Sequence, residues 1–359
     1  MTLDLTSLTN ATLLITGGTG MIGKWMIDYL LDRVECNIIV TGRSESKFNE
    51  RFADTFAKTK FAKGRLHFLA WDPSHPSQLN GCLVSVRSGE DTASPQVASN
   101  NQDTKPHINY ILHLASNTHP VAYATDPVST IVMNVNATKE LLDLAVENQG
   151  CRFVYASSVE IYGQNRGDCE KFTEDYCGYI NSNTLRAGYP ESKRCGEALC
   201  QAYIKQYGVD VVIPRIARVY GPTLLKTDTK ALSQFIANAL AGQDIVLKSE
   251  GKQHFSYLHV ADAVTGILAV MLKGKCGEAY NIADEKSDIT LRDLAALIAG
   301  QAGRKVIFDL PDAAERAGFS PAMLARLESE KVNGLGWRAQ YDIADGIAET
   351  IKKLGACNG

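Results

Sequence analysis

Residues Ala11 to Lys24 read ATLLITGGTGMIGK. Thr12-Leu13-Leu14-Ile15-Thr16 is a short apolar run of the kind a buried strand uses. It leads into glycines at 17, 18, 20 and 23, and then into the periodicity of an amphipathic helix running through Trp25, Met26 and Leu30. A helix that opens over a glycine turn aims unpaired backbone N–H groups, and the positive end of its dipole, at whatever lies above the turn. That is a seat for a pyrophosphate. Gly17 can take backbone angles closed to other residues, Gly20 leaves room for phosphates to approach, and Gly23 lets the helix close on the strand. The spacing is G-x-x-G-x-x-G rather than G-x-G-x-x-G. Between a strand and a helix it favours dinucleotide binding over a merely structural turn.

Outward from this stretch, strands and helices alternate. A second strand spans Asn37 to Thr41 and is followed by Gly42-Arg43-Ser44, with no acidic residue to accept hydrogen bonds from an adenosine ribose. Arg43 reads either as a receiver of the 2′-phosphate of NADP or as a solvated loop arginine. A helix (Ser46 to Lys58) and a third strand (Arg65 to Ala70) lead to Trp71-Asp72, and from Ser85 to Pro106 the chain is polar and aperiodic, a surface insertion. Order resumes with a strand at Tyr110 to Leu114, a loop holding His119-Pro120, a helix over Pro127 to Glu147 and a strand at Arg152 to Ala156. This alternation predicts an α/β fold, a parallel sheet covered on both faces, with ligands beyond the carboxyl ends of the strands.

Composition narrows the class. With 359 residues, 45% hydrophobic and 21% charged, the chain can bury a sizeable core, and a net charge of −3 without a basic stripe argues against nucleic acid as a partner. No apolar run is long enough to span a membrane, and the polar start MTLDLTSLTN shows no secretory signal. The nine cysteines are scattered without a C-x-x-C pair. They read as reduced thiols of a cytoplasmic protein, with no disulfide frame and no metal site.

Two segments carry the chemistry. The loop after the Arg152 strand reads Ser157-Ser158-Val159-Glu160-Ile161-Tyr162-Gly163, and some thirty residues on comes Tyr189-Pro190-Glu191-Ser192-Lys193. Tyrosine and lysine four apart share one helix face. A phenol titrates near 10, so acting as a base near neutral pH requires its anion to be stabilised, as a neighbouring ammonium does. Ser158 is placed to hydrogen-bond the same substrate oxygen and orient a carbinol.

The glycine turn, strand-end serine and Y-x-x-x-K together resemble the extended short-chain dehydrogenase/reductase family of nucleotide-sugar epimerases, dehydratases, decarboxylases and ketoreductases. Further segments carry the resemblance along nearly the whole chain: HLAS (His113 to Ser116), NVNAT (Asn134 to Thr138), RIARVYGP (Arg215 to Pro222) and LGW (Leu335 to Trp337). It implies a Rossmann-type doubly wound parallel sheet with a smaller, mixed C-terminal substrate domain. The expected division is 1–220 with 253–272 for the NAD(P)-binding part and 221–252 with 273–359 for the sugar-nucleotide part. It implies Ser158, Tyr189 and Lys193 as catalytic, with Glu160 as a further acid or base or as a residue bonding its own loop. Cofactor contacts are expected from Gly17, Gly20, Met21, Ile22, Gly23, Arg43, Asp72 (toward adenine), Leu114, Ala115, Ser116, Asn134, Tyr189, Lys193 and Ile216. Substrate contacts are expected from Ser158, Glu160, Arg186, Arg218 and His119, the last of these more readily a packed loop histidine. A homodimer joined through the helices near Pro127 to Glu147 and Tyr189 to Gln206 is also implied.

Departures from the family pattern select among reactions. Val159 stands where dehydratases carry an aspartate that protonates the leaving hydroxyl, so dehydration is disfavoured. The segment HLASNTHPVAYATDPVSTIVMN is similar to UDP-glucuronate decarboxylases, yet Phe255 occupies the place of their QTRxF arginine and supplies neither charge nor donor. Arg218 replaces the asparagine of RxxNxYGP, and reads either as a diphosphate contact or as one half of an ion pair. A 4-epimerase is expected first, needing only the serine, tyrosine, lysine and a pocket in which a keto-sugar can turn over. An NADPH-dependent 4-ketoreductase is next, consistent with a lean toward NADP, then a decarboxylase, and last a non-catalytic dinucleotide sensor.

Overall fold

A computed structural model describes residues 3–58, 64–73, 79, 106–116, 126–310 and 324–356. The expected insertion at 85–106, apart from its last residue, and His119 lie outside the described residues. Strand β1 (Thr12–Thr16) leads to helix α1 (Met21–Arg33), then β2 (Asn37–Gly42), α2 (Glu45–Lys58), β3 (Leu66–Ala70), β4 (Tyr110–His113), α3 (Pro127–Glu147), β5 (Arg152–Tyr155) and the two-residue β6 (Ser157–Ser158). Next come α4 (Gly188–Tyr207), β7 (Asp210–Ile216), β8 (Arg218–Tyr220), α5 (Ala231–Leu240), β9 (Ile245–Leu247), β10 (His254–His259), α6 (Val260–Lys273) and β11 (Ala279–Ile282). The remainder comprises β12 (Asp288–Thr290), α7 (Leu291–Gln301), β13 (Val306–Phe308), β14 (Leu324–Ala325), α8 (Glu330–Gly334) and α9 (Ile343–Ala356).

The main sheet runs β3-β2-β1-β4-β5-β7-β11, with β6 also paired to β7, and every pairing in it is parallel. Its strands are continuous apolar runs because both faces are covered. Leu13, Ile15, Leu112, Val154 and Val212 join the core on the side of α1 and α6. The intervening Leu14, Ile111, Phe153 and Val211 join the other core, with Leu141 and Leu142 of α3 and Cys200 and Tyr203 of α4. That split is the period-two alternation of a strand, and each fully buried side chain contributes roughly 1.5–3 kcal/mol. Helix α3 starts where Asp126 accepts from the Ser129 N–H at 3.4 Å and Pro127 fits the first turn, whose N–H would be unpaired anyway.

Two small sheets complete the chain: β10 pairs with β8, β12 and β14, and β9 with β13. The structure moves the expected division at two points. Strand β11, expected in the smaller part, pairs with β7 and closes the main sheet, while β10, expected in the larger part, belongs to a small sheet. Tyr280 and Ile282 pack into the α1-side core, and that burial fixes β11 where it is. Helix α7 begins at Leu291, where the Thr290 hydroxyl caps it by accepting from the Asp293 N–H at 3.1 Å. Among the described residues, no helix is long and apolar enough to cross a membrane.

Candidate active site

The glycine turn closes so tightly on its surroundings that side chains are excluded. Gly17 adopts φ +70°, and a Cβ on it would lie 2.7 Å from the Ala115 nitrogen; one on Gly23 would lie 2.3 Å from the Gly17 carbonyl oxygen. Gly20 is the N-cap of α1 and offers no side-chain hydrogen bond, so the first N–H groups of the helix, at Met21 and Ile22, face outward over the turn. A backbone cradle at a helix start, crowded from below and open above, fits the diphosphate of a dinucleotide. The ends of β1 and β4 are tied together beneath it. The Thr16 hydroxyl accepts from the Ala115 N–H at 3.0 Å and shares a hydrogen bond with His113 Nδ1 at 2.9 Å. Burial holds His113 neutral. Leu114, Ala115 and Ser116 thereby line the crevice beside Gly17. Asp72 is half-buried just after β3, and Arg43 is exposed just after β2.

Tyr189, Ser158 and Ser116 converge on the other side of the crevice. The Tyr189 phenol is buried and hydrogen-bonded to both serine hydroxyls. Ser158 Oγ also accepts from the Glu160 N–H at 3.2 Å, and Ser116 Oγ donates to Asn134 Oδ1 at 2.9 Å. Asn134 Nδ2 in turn donates to Ser192 Oγ (2.9 Å), which donates to the Tyr189 carbonyl at 2.8 Å. Asn134, 4% exposed, therefore works as the anchor of the phenol. Burial pushes the Tyr189 hydroxyl up to about 12; the Ser158 bond, the Ser116 bond and the Arg218 charge act to lower it, while Glu160 raises it.

Lys193 lies one turn along the same helix and is 2% exposed. Its ammonium donates to the Ala156 carbonyl at 2.8 Å and sits 4.9 Å above the Tyr155 ring. Burial lowers it to about 8, against the pull of Glu197 and Cys200.

Glu160 and Arg218 form one unit. Arg218 Nη2 donates to Glu160 Oε1 at 2.7 Å, and the guanidinium lies 4.0 Å over the face of Phe255. Two of the residues that depart from the family pattern, Arg218 and Phe255, thus touch each other. Val159 is buried, Ile216 ends β7 inside the core, and Arg186 is exposed in the turn just before α4.

The serine turn is also held from behind. After Gly163 the chain makes an excursion and returns at Gly178-Tyr179, where Gln164 N donates to Tyr179 O (2.8 Å) and Tyr179 N to Tyr162 O (3.1 Å). A Cβ on Gly163 would lie 2.1 Å from the Tyr179 oxygen, and one on Gly178 would lie 2.1 Å from that of Tyr162. Within the excursion the Phe172 ring stacks on Tyr162 and Tyr176, each at 4.9 Å, and its backbone pairs with Arg326 and Glu328. Sequence reasoning passed over Ser157, Glu197 and Arg215, which bond one another beside this turn. For Glu197 there was a signal: it continues the four-residue stripe of Tyr189 and Lys193.

The sequence profile of the NAD dependent epimerase/dehydratase family matches residues 13–283. The chain is 29% identical over 342 residues to UDP-glucuronic acid decarboxylase 6 of Arabidopsis thaliana, covering 94% of this chain and 87% of that protein. It is 31% identical over 251 residues to UDP-glucuronic acid decarboxylase 1 of Danio rerio, covering 68% of this chain and 57% of that protein. Its fold matches that of a Thermotoga maritima UDP-glucose 4-epimerase with UDP-glucose at a TM-score of 0.78, with 19% identity and 97% and 100% of the two chains covered. A Streptomyces venezuelae dTDP-glucose 4,6-dehydratase with NAD bound matches at a TM-score of 0.73, with 25% identity and 95% and 96% coverage. Together with the glycine cradle and the buried tyrosine and lysine beside it, these matches show that the chain belongs to the NAD-dependent epimerase/dehydratase family.

Proposed function

We propose that this protein is an NAD(P)-dependent nucleotide-sugar 4-epimerase. The observation that carries the proposal is the buried Tyr189 phenol, with the Ser158 and Ser116 hydroxyls beside it and Lys193 one helical turn away, next to the glycine cradle. A nicotinamide dinucleotide held by the Gly17–Gly23 cradle would supply the acceptor and donor for a hydride. Tyr189 takes the proton of the C4 hydroxyl as the carbon-bound hydrogen leaves, and gives it back on the return step. Ser158 donates to the oxygen that holds charge, Lys193 and Arg218 bring positive charge to the same corner, and the Asn134 anchor keeps the phenol from rotating away. The Glu160–Arg218 pair, half-buried and stacked on Phe255, lines the sugar side and presents guanidinium N–H groups to oxyanions of the substrate.

The experiment is incubation of the purified protein with UDP-, dTDP-, GDP- and CDP-sugars, with the C4 configuration read by NMR and absorbance followed at 340 nm. Interconversion of C4 epimers without net absorbance change supports the proposal; stoichiometric NADPH consumption with a keto-sugar makes the chain a reductase instead. A second reading, decarboxylation, is favoured by the full-length similarity to UDP-glucuronic acid decarboxylases, and carbon dioxide released from UDP-glucuronate would establish it. Arg43, exposed after a strand that ends without an acidic residue, supports a preference for NADP. Exposed Val128, Ile131 and Val132 on α3, with Leu185 and Tyr207 flanking and ending α4, support a homodimer through these helices. The described cysteines, all free, support residence in a reducing compartment such as the cytoplasm.

A further inference from the structure

Helix α4 places Glu197 one turn beyond Lys193, and its carboxylate is where three elements meet. Arg215 of β7 grips it with Nε at 3.1 Å and Nη2 at 2.7 Å, and Ser157 of β6 donates its hydroxyl at 2.6 Å. The guanidinium is otherwise saturated: Nη1 donates to the Tyr162 oxygen (2.9 Å) and the Glu174 carbonyl (2.7 Å), and Tyr162 donates onward to Asn281 Oδ1 at 2.7 Å. Such a fork on a carboxylate fixes orientation as well as charge. Ser157 is the residue next to Ser158, so whatever holds Ser157 sets where the Ser158 hydroxyl can reach.

Lys193 is faced by the Tyr155 ring and the Ala156 carbonyl from the edge of β5, by His113 from β4, and by Glu197 and Cys200 from its own helix. Burial keeps Tyr155 and Tyr189 as phenols, Cys200 as a thiol and His113 neutral. Glu197 alone among these brings a full negative charge, and its own surroundings (Arg215, Ser157, Tyr155, Tyr162 and Cys200) add one compensating cation.

We propose that Glu197 is a positioning residue: through Ser157 it fixes the strand end that carries Ser158, and from one helical turn away it balances the buried ammonium of Lys193. What the positioned groups are for rests on the function proposed above; that they are positioned by Glu197 does not. A purely structural ion pair between α4 and β7 would alter stability equally at every pH. A positioning role alters the pH at which Lys193 gives up its proton.

The test is urea unfolding of the full chain without added ligand, from neutral to alkaline pH, for the wild type, Glu197→Gln, Glu197→Asp, and Glu197→Gln combined with Lys193→Met. Glu197→Gln is expected to bring the alkaline rise in stability down by about one pH unit, an about tenfold weaker hold on the proton. Glu197→Asp keeps the charge and leaves the rise in place, and in the Lys193→Met background Glu197→Gln shifts nothing. Ser157→Ala and Glu197→Asp, which both release the strand end, are expected to lower kcat for a sugar nucleotide about ten- to a hundredfold with KM little changed. An unmoved rise in Glu197→Gln, a shift that persists without Lys193, or full kcat in Glu197→Asp overturns the proposal. If Glu197→Gln does not fold, the kcat of Glu197→Asp decides alone. Should the wild type turn over no sugar nucleotide, the proposed function fails while the pH comparison still decides this inference.

Discussion

Replacing Lys193 by methionine removes a buried positive charge while keeping a long, flexible side chain of similar bulk. The folded-state lysine titrates at about 8 against 10.5 for the free side chain, with burial as the main cause. At about 1.4 kcal/mol per pH unit, this difference makes the buried charge cost about 3 kcal/mol wherever it is fully protonated. The sign follows from proton counts. Below about pH 8 both folded and unfolded chains hold the proton and the whole cost is present. Between about 8 and 10.5 the unfolded chain holds a proton the folded chain has released, so stability rises with pH. The wild type should therefore gain about 3 kcal/mol on Lys193→Met between neutral pH and about pH 10.5, read as the difference between their urea unfolding curves. Other alkaline groups titrate in both proteins and cancel in the comparison. A difference that stays flat across this range would refute the assignment of Lys193 as a buried, titrating ammonium.

Tyr189→Phe removes one hydroxyl from a chain of three, and turnover of sugar nucleotides should vanish while dinucleotide affinity, measured by fluorescence titration, changes little. Unchanged activity would remove the phenol from the reaction. In the glycine turn, Gly23→Ala should unfold the cradle, because its new carbon meets backbone at 2.3 Å; Gly20→Ala should be far milder, its nearest contact, the Gly17 carbonyl oxygen at 3.1 Å, having to give by only a few tenths of an ångström. Gly20→Val should then lose dinucleotide binding with little change in Tm, and retained affinity would move the phosphate seat elsewhere. Gly196→Ala puts a carbon 2.0 Å from the Tyr155 hydroxyl and should lower stability by about 1–3 kcal/mol, with partial recovery on adding Tyr155→Phe. No recovery would mean that the clash is relieved by backbone movement instead.

Where the sequence was readable, the reason is local. Leu13, Leu14 and Ile15 are apolar in succession because a central parallel strand buries both faces, and the glycines after them announce a turn that no other residue fits. Tyr189 and Lys193 were visible as a pair because four residues is one helical turn. Glu197 and Arg215 are 18 residues apart and on different elements, and Ser157 is 40 residues from Glu197, so nothing in the linear order joins them. The same holds for Arg218 and Phe255, each noticed as a departure without a sign that one ring would lie under the other's guanidinium. Strand β11 was misplaced because a four-residue strand gives no hint of which sheet edge will accept it. The bond from Ser116 to Asn134, a contact across 18 residues, was equally hidden.

The excursion between Gly163 and Gly178 has its ends pinned backbone to backbone. A segment fastened in this way is mechanically insulated: residues at its tip can be exchanged without transmitting a displacement to Ser158. Its middle is at the same time keyed by Phe172 to the segment just after β14 that carries Arg326 and Glu328. The arrangement separates two design variables, letting the chain alter the tip of the excursion while Ser158 keeps its coordinates.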